Sequence, residues 1–188
     1  MGFYPIVLDL TGRPCLVVGG GAVAERKVEG LLEAGARVTV VSPTVTRRLQ
    51  AWIDARAIRW VAGDFRAGDV AGHVLVMAAT DDGAVNGTVS AAARGSGVWV
   101  NAVDDPARCD FFLPSVLRRG ELTVAVSTGG TSPALARAIR EELETYFTDD
   151  YRVLARVAAE TRRELRRDGP PPDAESWRRA LKALLAAP

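Results

Sequence analysis

Apolar positions in this chain follow two alternating rhythms. Cys15-Leu16-Val17-Val18 is an unbroken apolar run, as expected of a parallel strand covered on both faces, and it stops at Gly19-Gly20-Gly21. Past the glycines, Val23, Val28, Leu31 and Leu32 return near helical spacing, and Gly35 stands where a helix C-cap belongs. Arg37-Val38-Thr39-Val40-Val41 then reads as a second strand. The spacing next predicts a helix from Thr44 to Ala55 with Pro43 at its entry, and a short strand Ile58-Arg59-Trp60-Val61 leading into the turn Gly63-Asp64-Phe65. The apolar run Val74 to Ala79 predicts another buried strand, ending in the polar loop Thr80-Asp81-Asp82-Gly83. A helix over Ala84 to Arg94 and a strand over Val98 to Val103 complete the series. Strands alternating with helices imply an α/β fold built on a doubly wound parallel sheet, here spanning residues 1–113.

After Pro114 the rhythm changes. Residues 115–127 hold two short β-like runs around Arg118-Arg119-Gly120-Glu121, the second being Leu122-Thr123-Val124-Ala125-Val126. Ser127-Thr128-Gly129-Gly130-Thr131-Ser132-Pro133 leads into a helix ending near Tyr146, with Ser132 as N-cap and Pro133 at the first helical position. A strand-and-helix arm of this size has no core of its own, so residues 114–148 are expected to form a small α+β dimerisation region. From Asp150 onward (149–188) the pattern is helical, broken at Gly169-Pro170-Pro171-Pro172.

Composition narrows the class. The 188 residues are 48% apolar and 25% charged with a net charge of +1, the profile of a soluble globular protein without the field that nucleic acid binding would need. The tail run Arg162-Arg163-Glu164-Leu165-Arg166-Arg167 reads as the polar face of an amphipathic helix, with Leu154, Val157, Ala158, Thr161 and Leu165 opposite. Trp52, Trp60, Trp99 and Trp177 are scattered singly and are expected to pack in cores. Met1-Gly2-Phe3-Tyr4-Pro5 lacks a charged, signal-like start, and no apolar run reaches membrane-spanning length. Cys15 and Cys109 form no disulfide framework and are expected as reduced thiols in a cytoplasmic protein. His73, the only histidine, is expected to be exposed. No His and Cys cluster offers a resident metal site.

Chemistry concentrates where predicted strands end. A strand, a glycine triplet and a helix make the first turn of a Rossmann-like dinucleotide-binding unit. Gly19 turns the chain off the strand, and Gly21 lets bare backbone approach a pyrophosphate. Ala22 and Val23 open the helix whose free N–H groups and dipole face the phosphates, while Ala24 lets that helix sit close on the sheet. The second strand ends at Val41-Ser42-Pro43-Thr44, with no carboxylate for the ribose. Ser42 and the backbone of Pro43 and Thr44 are the candidates instead, and Arg47 and Arg48, a turn further on, would favour a 2′-phosphate. Thr80 is assigned to the cofactor and Asp82 to capping the next helix. Ser127 to Gly130 read either as a nest of N–H groups for a substrate carboxylate or as a glycine turn into a capped helix. Asp104-Asp105-Pro106 reads either as a turn or as a source of a catalytic carboxylate.

Five blocks in order carry a family resemblance: residues 18–27, Ala78-Ala79-Thr80-Asp81-Asp82, Val85-Asn86, Asn101-Ala102-Val103-Asp104-Asp105-Pro106, and residues 127–133. Together they resemble the precorrin-2 dehydrogenase family, the sirohaem-synthase module that often doubles as sirohydrochlorin ferrochelatase. The resemblance implies NAD as cofactor, tetrapyrrole substrates (precorrin-2 and sirohydrochlorin), transient Fe²⁺ and a homodimer. It implies Asp104 as the catalytic base, with Asn101, Ser127, Thr128 and Gly129 near the substrate. Precorrin-2 bears eight carboxylates, so cationic side chains that bind them bidentately are expected. Arg108, Arg118, Arg119, Arg137 and Arg140 lie in the right part of the chain, Arg118 and Arg137 being assigned to the substrate. A non-catalytic NAD(H)-sensing dimer is the alternative; it needs the glycine loop but has no use for Asp104.

Overall fold

The computed structural model describes residues 3–168 and 173–185; the expected break at residues 169–172 lies outside them. Contacts divide the chain into two compact units, one ending at Phe112 and the other beginning at Leu113.

The first unit is built on five parallel strands, β1 (Pro14–Val18), β2 (Arg37–Ser42), β3 (Ile58–Ala62), β4 (Leu75–Ala78) and β5 (Trp99–Ala102), in the order β3-β2-β1-β4-β5. Helices α1 (Ala22–Glu33), α2 (Arg47–Asp54) and α3 (Gly83–Gly95) connect them. The continuous apolar runs are explained by burial on both faces. Cys15 and Val17 of β1 meet Ala24, Val28 and Leu31 of α1 and Leu49 of α2 on one side. Leu16 and Val18 meet Val89 and Ala93 of α3 and Val70 on the other. Leu16 and Leu49 are fully buried, each worth about 1.5–3 kcal/mol. The chain proceeds from β1 through β2 to β3 on one side of the sheet, then returns to β4 and β5 on the other. Its switch point therefore lies between β1 and β4, where doubly wound sheets bind ligands.

Local signals account for most boundaries. The Asp82 carboxylate accepts from the amides of Ala84 (2.7 Å) and Val85 (3.2 Å), capping α3 as expected. Gly35 follows the end of α1 with φ of 72°, the left-handed turn that closes many helices. The second helix is shorter than the spacing predicts. Residues 44–46 precede it because the Ser42 hydroxyl donates to the Thr44 carbonyl (2.7 Å), and Thr46, not Pro43, supplies the cap by accepting from the Leu49 amide (3.3 Å). Polar side chains before a helix compete with its backbone in this way.

Two burial expectations are corrected. Trp99 is 46% exposed because it opens β5, an edge strand, whereas Trp52 and Trp60 pack against the core. His73 is half-buried, its Nδ1 shielded and without a hydrogen-bond partner, because the turn Ala67–Val70 holds it: its amide donates to the Val70 carbonyl (3.2 Å).

The second unit begins with an antiparallel hairpin, β6 (Ser115–Arg119) and β7 (Leu122–Val126), followed by α4 (Pro133–Tyr146), α5 (Asp150–Asp168) and α6 (Ala174–Leu185). Ser132 caps α4 by accepting from the Leu135 amide (3.3 Å), and Pro133 opens the helix as expected. Along α5, Leu154, Ala158 and Thr161 are half-buried. Val157, expected with them, is 38% exposed; the side chain of Leu165 lies outside those described. No helix among the described residues is long and apolar enough to cross a membrane.

Candidate functional site

At the switch point four loops enclose a cleft of about 940 Å³, wholly within the first unit. The β1–α1 loop brings Gly19, Gly20, Gly21, Ala22 and Val23, and the β2–α2 loop brings Ser42, Pro43 and Thr44. Asp64 and Phe65 follow β3, and Thr80 and Asp81 follow β4. Every residue assigned to the cofactor from sequence therefore lines one cleft.

The structure adds a role for Gly20, to which the sequence reading gave none. Gly19 has φ of 123°, and a Cβ there would stand 2.3 Å from the Ala79 carbonyl oxygen. A Cβ on Gly20 would stand 1.9 Å from the Thr44 carbonyl oxygen and 2.7 Å from the Ser42 hydroxyl. These two glycines let the chain thread between the ends of β2 and β4, tied by Gly19 N–H to Val41 O (2.9 Å) and Thr46 N–H to Gly20 O (3.0 Å). Gly21 is the open one, with nothing within 4 Å of a Cβ added there.

Gly21 also caps α1 without a side-chain hydrogen bond, and the amide that reaches back to its carbonyl is that of Glu25 (3.0 Å). The first-turn amides thus keep the free donors and dipole end that suit a pyrophosphate. The geometry of the cradle fits a dinucleotide.

At the β2 end, the Ser42 hydroxyl is engaged as donor to Thr44. Its carbonyl accepts from the Gly63 amide (3.2 Å) and Trp60 Nε1 (3.0 Å). The Gly63 bond sets Asp64 beside the end of β2, where a ribose-reading carboxylate usually stands. Sequence reasoning passed over Asp64 because the sheet register, Ser42 beside Ala62, supplies that position from the neighbouring strand. Among the described residues neither Arg nor Lys lines the cleft. Arg48 pairs with Glu29 and lies 4.9 Å over the Trp52 ring.

Thr80 hydroxyl bonds to Asn86 Oδ1 (2.8 Å) and the Asp82 carbonyl (3.0 Å), and Asn86 Nδ2 donates back to the Thr80 carbonyl (2.9 Å). Two bonds to one amide hold this loop rigidly at the cleft's edge. Asp104 does not line the cleft. Ala78 pairs with Ala102, so Thr80 and Asp104 each stand two residues past a paired position, on adjacent loops of one sheet edge. Asp104 is exposed with φ of 57°, a conformation costing a non-glycine residue roughly 1 kcal/mol or more.

Beneath it lies a polar network. Asn101, 7% exposed, accepts from Lys27 Nζ (2.9 Å), and its Nδ2 donates to the Phe111 carbonyl (3.0 Å) and meets Cys109 Sγ at 3.5 Å. Cys109 Sγ donates to the Ala102 carbonyl (3.1 Å) and accepts from the Ala102 amide (3.2 Å). Burial pushes the Cys109 thiol above its ordinary value and the Lys27 ammonium below its own. Both cysteines are free thiols, and burial raises that of Cys15 to about 11. Lys27 was missed in sequence as more than part of a family block. The signal was its place three residues after Ala24 and four before Leu31, on the edge of the buried stripe of α1.

The remaining assigned residues belong to the second unit. The Ser127 hydroxyl accepts from the Gly129 amide (3.1 Å), and Thr128 Oγ1 accepts from the Ser132 amide (3.0 Å). Those donors are spent within the loop, as in the capped-turn reading. Arg137 is exposed and Arg118 has a partner of its own. Arg119 donates to the Phe147 carbonyl (2.8 Å), and Arg140 pairs with Glu141 (2.9 Å) and Glu144. In the first unit, Arg108 binds the Gly83 carbonyl (2.7 Å) and Asp105 (3.2 Å). Arg108, Arg119 and Arg140 thus serve the chain's own folding.

Comparison with known proteins agrees with this geometry. Residues 6–115 match the family described as NAD(P)-binding, and residues 119–146 match the sirohaem biosynthesis protein central family. The chain is 45% identical to the siroheme synthase of Methylococcus capsulatus over 188 residues, covering 99% of this chain and 40% of that protein. It is 48% identical to that of Methylobacillus flagellatus over 162 residues, covering 86% and 35%. The chain thus spans about two fifths or less of these curated relatives' length. The solved structure of SirC, precorrin-2 dehydrogenase, superposes with a TM-score of 0.78 at 30% identity, covering 97% of this chain and 89% of that one. With the parallel sheet, the glycine cradle and these matches in agreement, the chain belongs to the precorrin-2 dehydrogenase and sirohaem synthase family.

Proposed function

We propose that this chain oxidises precorrin-2 to sirohydrochlorin with NAD⁺, as a cytoplasmic homodimer. The observation that carries the reading is the glycine-lined cleft on the sheet edge that also bears Asp104, in a chain 30% identical to SirC over nearly its whole length. The oxidation removes one hydride and one proton from the macrocycle. Bound NAD⁺ supplies the hydride acceptor. The α1 amides hold the pyrophosphate, Ser42, Pro43 and Thr44 flank the ribose, and Thr80 orients the nicotinamide side. Asp104 accepts the proton, and Asn101 fixes the loop that carries it. NAD(H) is favoured over NADP(H) because the cleft offers Asp64 and Asp81 but no cation for a 2′-phosphate.

In the second unit Ser127, Thr128, Gly129, Arg118 and Arg137 are the groups proposed to meet the substrate. Residues 115–148 are proposed to dimerise, supported by a two-stranded sheet with exposed Leu135 and Tyr146 near it in sequence. Insertion of Fe²⁺ would use the same carboxylate to take pyrrole protons, with iron entering as a substrate.

Purified protein incubated with precorrin-2 tests the reading. NADH should form with NAD⁺ far faster than NADPH with NADP⁺, and the product should carry the absorption of sirohydrochlorin. Tight NAD(H) binding without turnover would refute catalysis and favour the sensor.

A further inference from the structure

We propose that Lys27 is a positioning residue for Asp104: its ammonium, pinned to Asn101 near the end of β5, is the counter-charge that steadies the carboxylate while the macrocycle covers the site. The inference rests on the reading of Asp104 as proton acceptor.

The Asn101 amide has one possible orientation. Its nitrogen is committed to the Phe111 carbonyl (3.0 Å), so its oxygen faces Lys27 (2.9 Å). The ammonium is therefore fixed in place by a nearly buried side chain of the strand that carries Asp104. Among the described residues it has no carboxylate in ion-pair contact. A half-buried ammonium answered only by an amide oxygen bears a desolvation cost that a neighbouring negative charge offsets.

The groups acting on it are few. After desolvation, Cys109 favours its charge most, Arg26 on its own helix opposes it, and Asp104 on the β5 loop favours it to a smaller degree. Cys109 cannot be the intended partner, because burial keeps its thiol neutral and its sulfur is committed to the Ala102 backbone. That leaves Asp104, whose own carboxylate makes no hydrogen bond or ion pair with another described residue. Its left-handed backbone is held from both sides, by the Cys109–Ala102 bonds and by the Arg108–Asp105 pair. The turn is clamped while the carboxylate at its tip remains available. Covering the site with a macrocycle expels water and strengthens the attraction between the two charges.

Two measurements on the full chain test this. In protein isotope-labelled at lysine Cε, the NMR titration of Lys27 should have its midpoint below the ordinary 10.5. In Asp104→Asn the midpoint should fall further, since a charge favouring the ammonium is gone. In turnover, Lys27→Met should lower kcat for precorrin-2 oxidation by about 100-fold while NADH affinity holds and the protein stays folded at the assay temperature, the unpaired Asn101 oxygen lowering its melting temperature by only a few degrees. Lys27→Arg, which keeps its charge at every accessible pH, should restore most of the rate. It should also move the alkaline fall of kcat to higher pH, whereas Cys109→Ser should leave that fall in place. A Lys27 midpoint indifferent to Asp104→Asn overturns the proposal. So does Lys27→Met turning over at the wild-type rate, or losing rate only as it loses stability or NADH. Wild-type protein inert toward precorrin-2 would refute the activity reading instead, and the titration alone would then decide the pairing of Lys27 with Asp104.

Discussion

Adjacent glycines of the cradle should fail in different ways when each gains one methyl group. In Gly20→Ala the new Cβ would stand 1.9 Å from the Thr44 carbonyl oxygen. Ordinary carbon–oxygen contacts lie near 3.3 Å, so the two loops would have to part by about 1.4 Å. That motion strains the Ser42–Thr44 bond (2.7 Å) and the Thr46–Gly20 bond (3.0 Å), each worth about 1 kcal/mol. Overpacking alone costs about 1–3 kcal/mol, giving an expected loss of about 2–4 kcal/mol. Gly21→Ala differs in both respects. Gly21 has φ of −89° and nothing within 4 Å of its added Cβ, so stability should change by less than about 0.5 kcal/mol. Its methyl would instead occupy space proposed for the pyrophosphate, and NADH affinity should fall at least about tenfold, a cost near 1.4 kcal/mol. Urea unfolding followed by circular dichroism reads the first quantity and NADH fluorescence titration the second. The reasoning fails if Gly20→Ala unfolds at the wild-type midpoint, or if Gly21→Ala binds NADH as the wild type does.

Two further outcomes follow from the same geometry. Because Asp104 holds φ of 57°, Asp104→Gly should be more stable than Asp104→Ala by about 1 kcal/mol, while neither forms NADH from precorrin-2; equal melting temperatures would contradict the backbone argument. Fully buried Cys15 has its thiol raised from 9.0 to about 11. The native state therefore binds the extra proton in this window, and the contribution is complete below pH 9.0 and lost as pH rises through about 11. Wild-type protein should lose about 2–3 kcal/mol relative to Cys15→Ala across that interval; a constant difference in urea unfolding would refute it.

Local pattern was enough for the fold and for the glycine-lined cleft. Unbroken apolar runs at β1 and β4 required burial on two faces, and the glycine triplet between an apolar run and a helical stripe required a tight turn. Ser132, Pro133 and Asp82 announced their helix starts because capping is decided within four residues. These signals are legible since the partners they imply are close in sequence. What only the tertiary structure decided involves residues far apart along the chain. Gly20, given no role from sequence, proved to be packed against backbone as Gly19 is, because its neighbour is the Thr44 carbonyl on another strand's loop. Asp64 reached the end of β2 through sheet register with β3, and Lys27 met Asn101 across 74 positions of sequence. The expected burial of Trp99 gave way because composition carries no record of which strand ends at an edge. Periodicity says which residues turn inward; only the packed chain says which of them meet.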